Sequence, residues 1–198
     1  RFLRGGAWTH GRHDLLAGGD VHGTTLGVLG MGRIGSAIAR RGALGFGMRV
    51  IYHNRHPLDA DAAAAVGAAR WVDKATLLRE ADHLVIVVPH TTETHHAIGA
   101  AELAQMKPTA TLTNIARGGV VDDAALAQAL HEGKLAAAGL DVFEGEPAVH
   151  PALLSAPNTV LTPHIGSASQ ATRRAMAQLA ADNLVAALHG QPMKTPLN

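Results

Sequence analysis

Leu26-Gly27-Val28-Leu29-Gly30-Met31-Gly32-Arg33-Ile34-Gly35 is the stretch on which the fold of this 198-residue chain turns. It opens with a short apolar run of the kind a buried strand needs. The residues that follow place Ile34, Ala37, Ile38 and Leu44 at helical spacing over 33–44. Between strand and helix lie three glycines spaced G-x-G-x-x-G. Gly30 allows a tight turn, Gly32 lets a pyrophosphate approach the backbone, and Gly35 permits close helix–strand packing. The helix start then presents free N–H groups and a positive dipole end to phosphate. Glycine-rich turns are common, so the motif gains its weight from the strand–turn–helix setting.

The same alternation continues outward. Residues 48–52, 69–72, 84–88, 110–114, 136–140 and 159–162 read as further strands. Residues 60–66, 74–80, 102–106, 122–132 and 169–189 read as helices, with a helix end at 1–4. Apolar strands separated by short helices predict an α/β chain, a Rossmann-like doubly wound parallel sheet covered on both faces. Such sheets bind ligands at the carboxyl ends of their strands, where strand order reverses. The expected organisation is a glycine-rich arm (1–25), a nucleotide-binding unit (26–168) and a C-terminal helix with tail (169–198).

Composition closes other routes. There is no cysteine, so no disulfide framework, thiol nucleophile or thiolate metal site. The 17 basic and 16 acidic residues leave a net charge of +1, which gives no reason to expect a nucleic-acid or acidic-membrane surface. Apolar runs such as 84–89 are far short of a bilayer span. With no signal peptide visible, a cytoplasmic location is expected. The pairs His10/His13, His53/His56 and His95/His96 lack an HExxH pattern or a carboxylate-rich cluster, so no metal is expected. Residues 62–65 read as helix filler, and Trp8 as a core or interface anchor.

Chemistry is expected just after the strands. At the end of the second strand, NAD-specific domains place an acid for the ribose hydroxyls. Here the chain reads Tyr52-His53-Asn54-Arg55-His56, with no carboxylate before Asp59. Arg55 suits a 2′-phosphate and Asn54 can donate to it, so NADP(H) is preferred, with NAD(H) possible. A plain solvated Arg55 is the alternative. Three later strands are followed by Arg117, Glu146 and His164. One histidine among 13 says little. An Arg, a Glu and a His at one sheet edge suit a cleft in which Arg holds a carboxylate and carbonyl, His donates a proton and Glu orients the His.

The segments LGVLGMGRIGSAIA, PHTTETHHAI, TNIARGGVVDDAALAQAL, GLDVFEGEP and LTPHIGSAS, in this order, resemble the D-isomer-specific 2-hydroxyacid dehydrogenase family over essentially the whole chain. The local wording is most similar to NADPH-preferring glyoxylate/hydroxypyruvate reductases that also reduce 2-ketogluconate. The resemblance implies reversible hydride transfer between NADPH and a small 2-oxo acid. It implies that Arg117 holds the substrate carboxylate, His164 is the acid–base and Glu146 its partner. It places Arg33 and Ile34 at the pyrophosphate, Val88 and Pro89 at the adenosine side and Thr94 near the cofactor. Ile115 and Ala116 fall by the nicotinamide ribose, Asp141 on the carboxamide, and Gly166 just after the catalytic His. Plain strand termination at 88–89 and a cap role for Asp141 are the competing readings.

The resemblance also implies a separate substrate domain that this sequence does not contain. Arg1 as first residue fits a fragment, expected to bind NADP(H) with little turnover. It implies a homodimer that the 1–25 arm would embrace. Helix 169–189 would dock on the missing domain or a second subunit. The alternatives are a dinucleotide-sensing corepressor-like protein and a phosphoglycerate or formate dehydrogenase. Formate dehydrogenases differ at the acid's partner, and phosphoglycerate dehydrogenases usually carry an acid after the second strand.

Overall fold

Short apolar segments that alternate with helices pair in parallel here, because each helix carries the chain back to the starting edge of the sheet. The computed structural model describes residues 2–196. Strands β1 (Thr25–Leu29), β2 (Arg49–His53), β3 (Arg70–Trp71), β4 (His83–Ile86), β5 (Thr111–Asn114), β6 (Ala137–Leu140) and β7 (Thr159–Leu161) form one parallel sheet. Its order is β3-β2-β1-β4-β5-β6-β7. The chain therefore runs outward from β1 to one edge, returns to β4 and runs to the other edge. The switch point lies between β1 and β4, where the predicted doubly wound sheet puts it.

The helices are α1 (Arg33–Phe46), α2 (Ala60–Ala65), α3 (Lys74–Glu80), α4 (Ala100–Leu103), α5 (Asp123–His131), α6 (Pro151–Ser155) and α7 (Gln170–Leu188). Period-2 alternation divides the strand side chains between the two faces. Leu26, Val28, Val50 and Tyr52 pack with Ala39 of α1. On the other face Ile51, Leu84, Ile86 and Leu112 pack with Leu77 and Leu78 of α3 and Leu126 of α5. Each fully buried side chain of this kind stabilises by about 1.5–3 kcal/mol.

The predicted strands, and the helices predicted from residue 33 on, are present with small shifts at their ends, and four readings change. Residues 2–6 form turns in place of a helix end, with the Gly6 and Ala7 amides bonded to Leu3 and Phe2 carbonyls; Arg1 lies outside the described residues. Trp8 is exposed, which removes the core half of the core-or-interface reading. Helix α4 starts at Ala100, ahead of the predicted 102, because the Glu102 carboxylate reaches back to the Gly99 amide at 3.1 Å. Helix α6 was not predicted. Pro151 at its first position and the His150 ring over the Ala152 amide start it. Helix α7 forms as expected but buries none of its residues, and Met176, Leu184 and Leu188 face solvent. No helix of the described residues is long and apolar enough to cross a membrane.

Candidate functional site

The glycine turn is built as its spacing requires. Gly30 has φ +102°, a conformation open to glycine, and a Cβ there would lie 2.8 Å from the Val87 carbonyl carbon. Gly35 packs directly on the Gly30 carbonyl oxygen, whereas a Cβ on Gly32 would meet open space. Gly32 offers α1 no side-chain cap, and the helix has no acid in its first turn, so its leading amides face outward uncompensated. An open approach, free amides and a positive dipole end fit a dinucleotide pyrophosphate. Arg33 and Ile34 are exposed beside it.

Asn54 takes a different role from the predicted one. Its Oδ1 accepts from the Met31 amide at 2.6 Å and its Nδ2 lies 3.5 Å from the Met31 carbonyl, so it holds the glycine turn from β2. Arg55 is exposed, and its charge helps to hold the Glu93 carboxyl low, behind the Thr91 hydroxyl and the Glu93 amide. Thr94 braces its own loop. Its hydroxyl donates to the Pro89 carbonyl and accepts from the Thr91 amide, both at 2.7 Å.

At the carboxyl ends of β4, β5, β6 and β7 lies a cavity of about 790 Å³. Of the predicted site residues, Ile34, Val88, Pro89, Ile115, Ala116, Arg117, Glu146 and His164 line it together. Gly30, Gly32, Arg33, Gly35, Asn54, Arg55, Thr94, Asp141 and Gly166 lie outside that lining. The loops that carry Arg117 and Glu146 meet because Gly118 lies directly against the Phe143 carbonyl, a contact with no room for a side chain. Asn114 sets the Arg117 turn: it is 2% exposed, accepts from the Ala116 amide at 3.0 Å and donates to the Arg117 carbonyl at 3.2 Å. The Arg117 guanidinium donates to the Ala116 carbonyl at 2.7 Å.

His164 Nδ1 stands 2.8 Å from Glu146 Oε2, while Glu146 Oε1 accepts from the Phe143 amide at 3.0 Å. The His164 bond, ahead of the opposing burial, and then the Phe143 amide hold the Glu146 carboxyl below its usual range. His164 itself sits at φ +52°, a left-handed conformation that an L side chain rarely adopts. Asp141 stabilises that geometry from β6. Its two oxygens accept from the Thr162 hydroxyl (2.6 Å) and the Ile165 and Gly166 amides (2.8 Å each). Burial alone would raise the Asp141 carboxyl; these three bonds, with the His164 charge, bring it below the ordinary value. Asp141 thus orders the loop after His164, close to the cap reading.

Sequence reasoning passed over a second pair. His96 Nε2 lies 2.8 Å from Glu144 Oε2, and the His96 amide donates to the Gly119 carbonyl at 2.7 Å. The bond to Glu144, against desolvation and with help from Asp122 and Asp123, raises the His96 pKa. His90 and His95 line the cavity beside Arg117, with Nε2 and Nδ1 3.3 Å apart. The only signal for these residues was the His95-His96 doublet, and nothing in the sequence pointed it at Glu144. Behind Glu146 and His164 a second cavity, about 500 Å³, is lined mainly by apolar groups, among them Phe143, Val149 and Leu161.

Residues 1–166 match the NAD binding domain of the D-isomer specific 2-hydroxyacid dehydrogenases. The chain belongs to that family. It is 50% identical over 198 residues to a glyoxylate/hydroxypyruvate reductase B of Pectobacterium atrosepticum, with 99% of this chain and 61% of that protein covered. It is 49% identical over 202 residues to a glyoxylate reductase of Thermococcus onnurineus, covering all of this chain and 60% of the relative. A solved NADPH-dependent glyoxylate/hydroxypyruvate reductase of Sinorhizobium meliloti, in complex with NADP and malonate, superposes with a TM-score of 0.88 at 40% identity. That match covers 99% of this chain and 60% of the solved one. The chain thus spans about three-fifths of the length of these relatives, and its residues 1–166 match an NAD binding domain.

Proposed function

We propose that this chain is the cofactor-binding and proton-transferring part of a reductase that converts a small 2-oxo acid (glyoxylate, hydroxypyruvate or 2-ketogluconate) to the D-2-hydroxy acid with NADPH. The carrying observation is the His164–Glu146 pair, bonded at 2.8 Å, on the same cavity as Arg117. When bound, the cofactor supplies the hydride. Everything else falls to the chain. Gly30, Gly32, Arg33, Ile34 and Gly35 form the pyrophosphate turn. Val88 and Pro89 shape the adenosine side, Thr94 lies near the cofactor, and Ile115 and Ala116 shape the nicotinamide ribose side. Arg117 binds the substrate carboxylate and polarises the carbonyl with its planar fork. Glu146 occupies His164 Nδ1, which leaves Nε2 to hold the transferable proton. In reduction that proton passes from Nε2 to the carbonyl oxygen; in oxidation neutral Nε2 takes it from the hydroxyl. Asp141 and Gly166 keep His164 in its left-handed backbone conformation and aimed at the substrate.

NADPH is preferred over NADH on this reading because β2 ends in Asn54-Arg55 without a carboxylate. The exposed arm residues Leu3, Trp8, Leu16 and Val21 suit packing on a second copy, and light scattering should give a dimer mass. The deciding experiment follows NADPH oxidation in the protein that carries this domain, against glyoxylate, hydroxypyruvate, 2-ketogluconate and 3-phosphohydroxypyruvate. Turnover of one of the first three supports the reductase. Cofactor binding without turnover of any would overturn it in favour of a dinucleotide sensor.

A further inference from the structure

The loop after β6 carries two acids two residues apart, and each meets a histidine from elsewhere in the chain. Glu146 and its partner His164 both line the cavity, whereas Glu144 lines it and its partner His96 does not. The proposed proton transfer uses only the first pair. Around the second the structure gathers a third metal-ligating group. His95 stacks on His96 with ring centroids 3.9 Å apart and planes 21° from parallel. One ligand atom each from His95, His96 and Glu144 lies within 4.8 Å of the others.

We propose that His95, His96 and Glu144 form a binding site for one divalent transition-metal ion of zinc or nickel type. Two imidazole nitrogens and one carboxylate oxygen are the donors such ions favour, and magnesium or calcium would instead require a nearly all-oxygen shell. Three protein ligands leave one position for water, a common arrangement for zinc. Tetrahedral closure needs ligand atoms about 3.3 Å apart, from metal–nitrogen and metal–oxygen bonds of about 2.0–2.2 Å. The three side chains are solvent-exposed, so an ion can enter and the outer torsions can close that gap.

The surroundings resemble an outer ligand shell. His96 Nδ1 lies 3.9 Å from the Asp122 carboxylate, and His95 Nδ1 lies 3.3 Å from His90 Nε2. The His96 backbone, at φ +49°, is held by the hydrogen bond its N–H donates to the Gly119 carbonyl, so its ring starts from a defined place. On binding, the ion replaces the proton between His96 and Glu144 and no electrons move. It ties the loop before α4 to the loop after β6, both of which line the cavity.

The test is calorimetric titration of zinc and nickel ions into metal-free protein, with the melting temperature read in parallel. One equivalent should bind. His95→Ala and Glu144→Gln should each weaken binding by about 10-fold or more. Zinc should raise the melting temperature of the parent and not of His95→Ala. The double variant His10→Ala/His13→Ala, in the arm, should bind like the parent. His95→Ala removes an exposed side chain, so its metal-free melting temperature should match the parent's. No binding, magnesium binding as tightly as zinc, or unchanged zinc affinity in both His95→Ala and Glu144→Gln would overturn the proposal. None of these readouts depends on turnover, so the reductase reading stands or falls separately.

Discussion

Two histidine–glutamate pairs hang from one loop, alike in bond length and histidine backbone but different in their surroundings. His164–Glu146 and His96–Glu144 are both 2.8 Å contacts, and both histidines have positive φ. His164 lines the large cavity with Arg117 and has Asp141 locking the chain behind it. His96 faces Asp122 and Asp123 at the rim, and Asp123, 5% exposed, has its own carboxyl pushed up by burial. The residue pair alone therefore does not define a catalytic site. Both glutamates line the same cavity, and it is the surroundings that separate the pairs: Arg117 and Asp141 beside one, Asp122 and Asp123 beside the other.

The sharpest way to break this comparison is to remove each histidine in turn. His164→Ala should lower kcat by about 100-fold or more, the scale of general acid–base catalysis. His96→Gln should lower kcat far less and show its effect in thermal melting. Equal losses of kcat would erase the distinction. Next in size is Gly118→Val. The Phe143 carbonyl occupies the space a side chain needs, so the two loops must separate, at about 1–3 kcal/mol or more. Unfolding in denaturant should show that loss, and a fully stable variant would mean that the loops need not touch.

A third test uses pH. The Asp141 carboxyl is lower folded than unfolded, so its bonds stabilise the chain above the ordinary carboxylate pKa. That contribution disappears as pH falls through the folded value. Melting temperature should therefore fall in acid less steeply for Asp141→Asn than for the parent, and parallel curves would refute the role. The smallest effect is expected at Arg55→Ala. The variant should lose about 10-fold in NADPH affinity with little change for NADH, the scale of one charge-assisted contact. An unchanged ratio measured by fluorescence titration would leave Arg55 a solvated loop residue.

Much of the fold was legible because its signals are local. The glycine spacing, the apolar strands and the helical periodicity each act within a few residues. Helix α6 escaped because one turn built on Pro151 has no periodicity to detect. At the site, Arg117, Glu146 and His164 were legible because each follows a strand, and in a parallel sheet that sends them to one edge. The contact of Asn54 with Met31 was not legible, since it joins residues 23 apart in sequence, in the loops after two neighbouring strands, β1 and β2. Asn114, Gly118 and the His96–Glu144 pair were not legible. Their partners are other loops, and no spacing along the chain encodes which loops meet.

The sequence by itself determined the winding of the sheet, the glycine turn between β1 and α1 and the edge to which Arg117, Glu146 and His164 are sent, because backbone pairing and helix periodicity are local rules applied repeatedly. The tertiary structure decided which acid each histidine meets, how closely the loops approach and where His90, His95 and Glu144 converge. Those outcomes depend on how loops at the carboxyl edge of the sheet pack together, where a missing side chain at Gly118 or a bond to Met31 matters more than any distance along the chain.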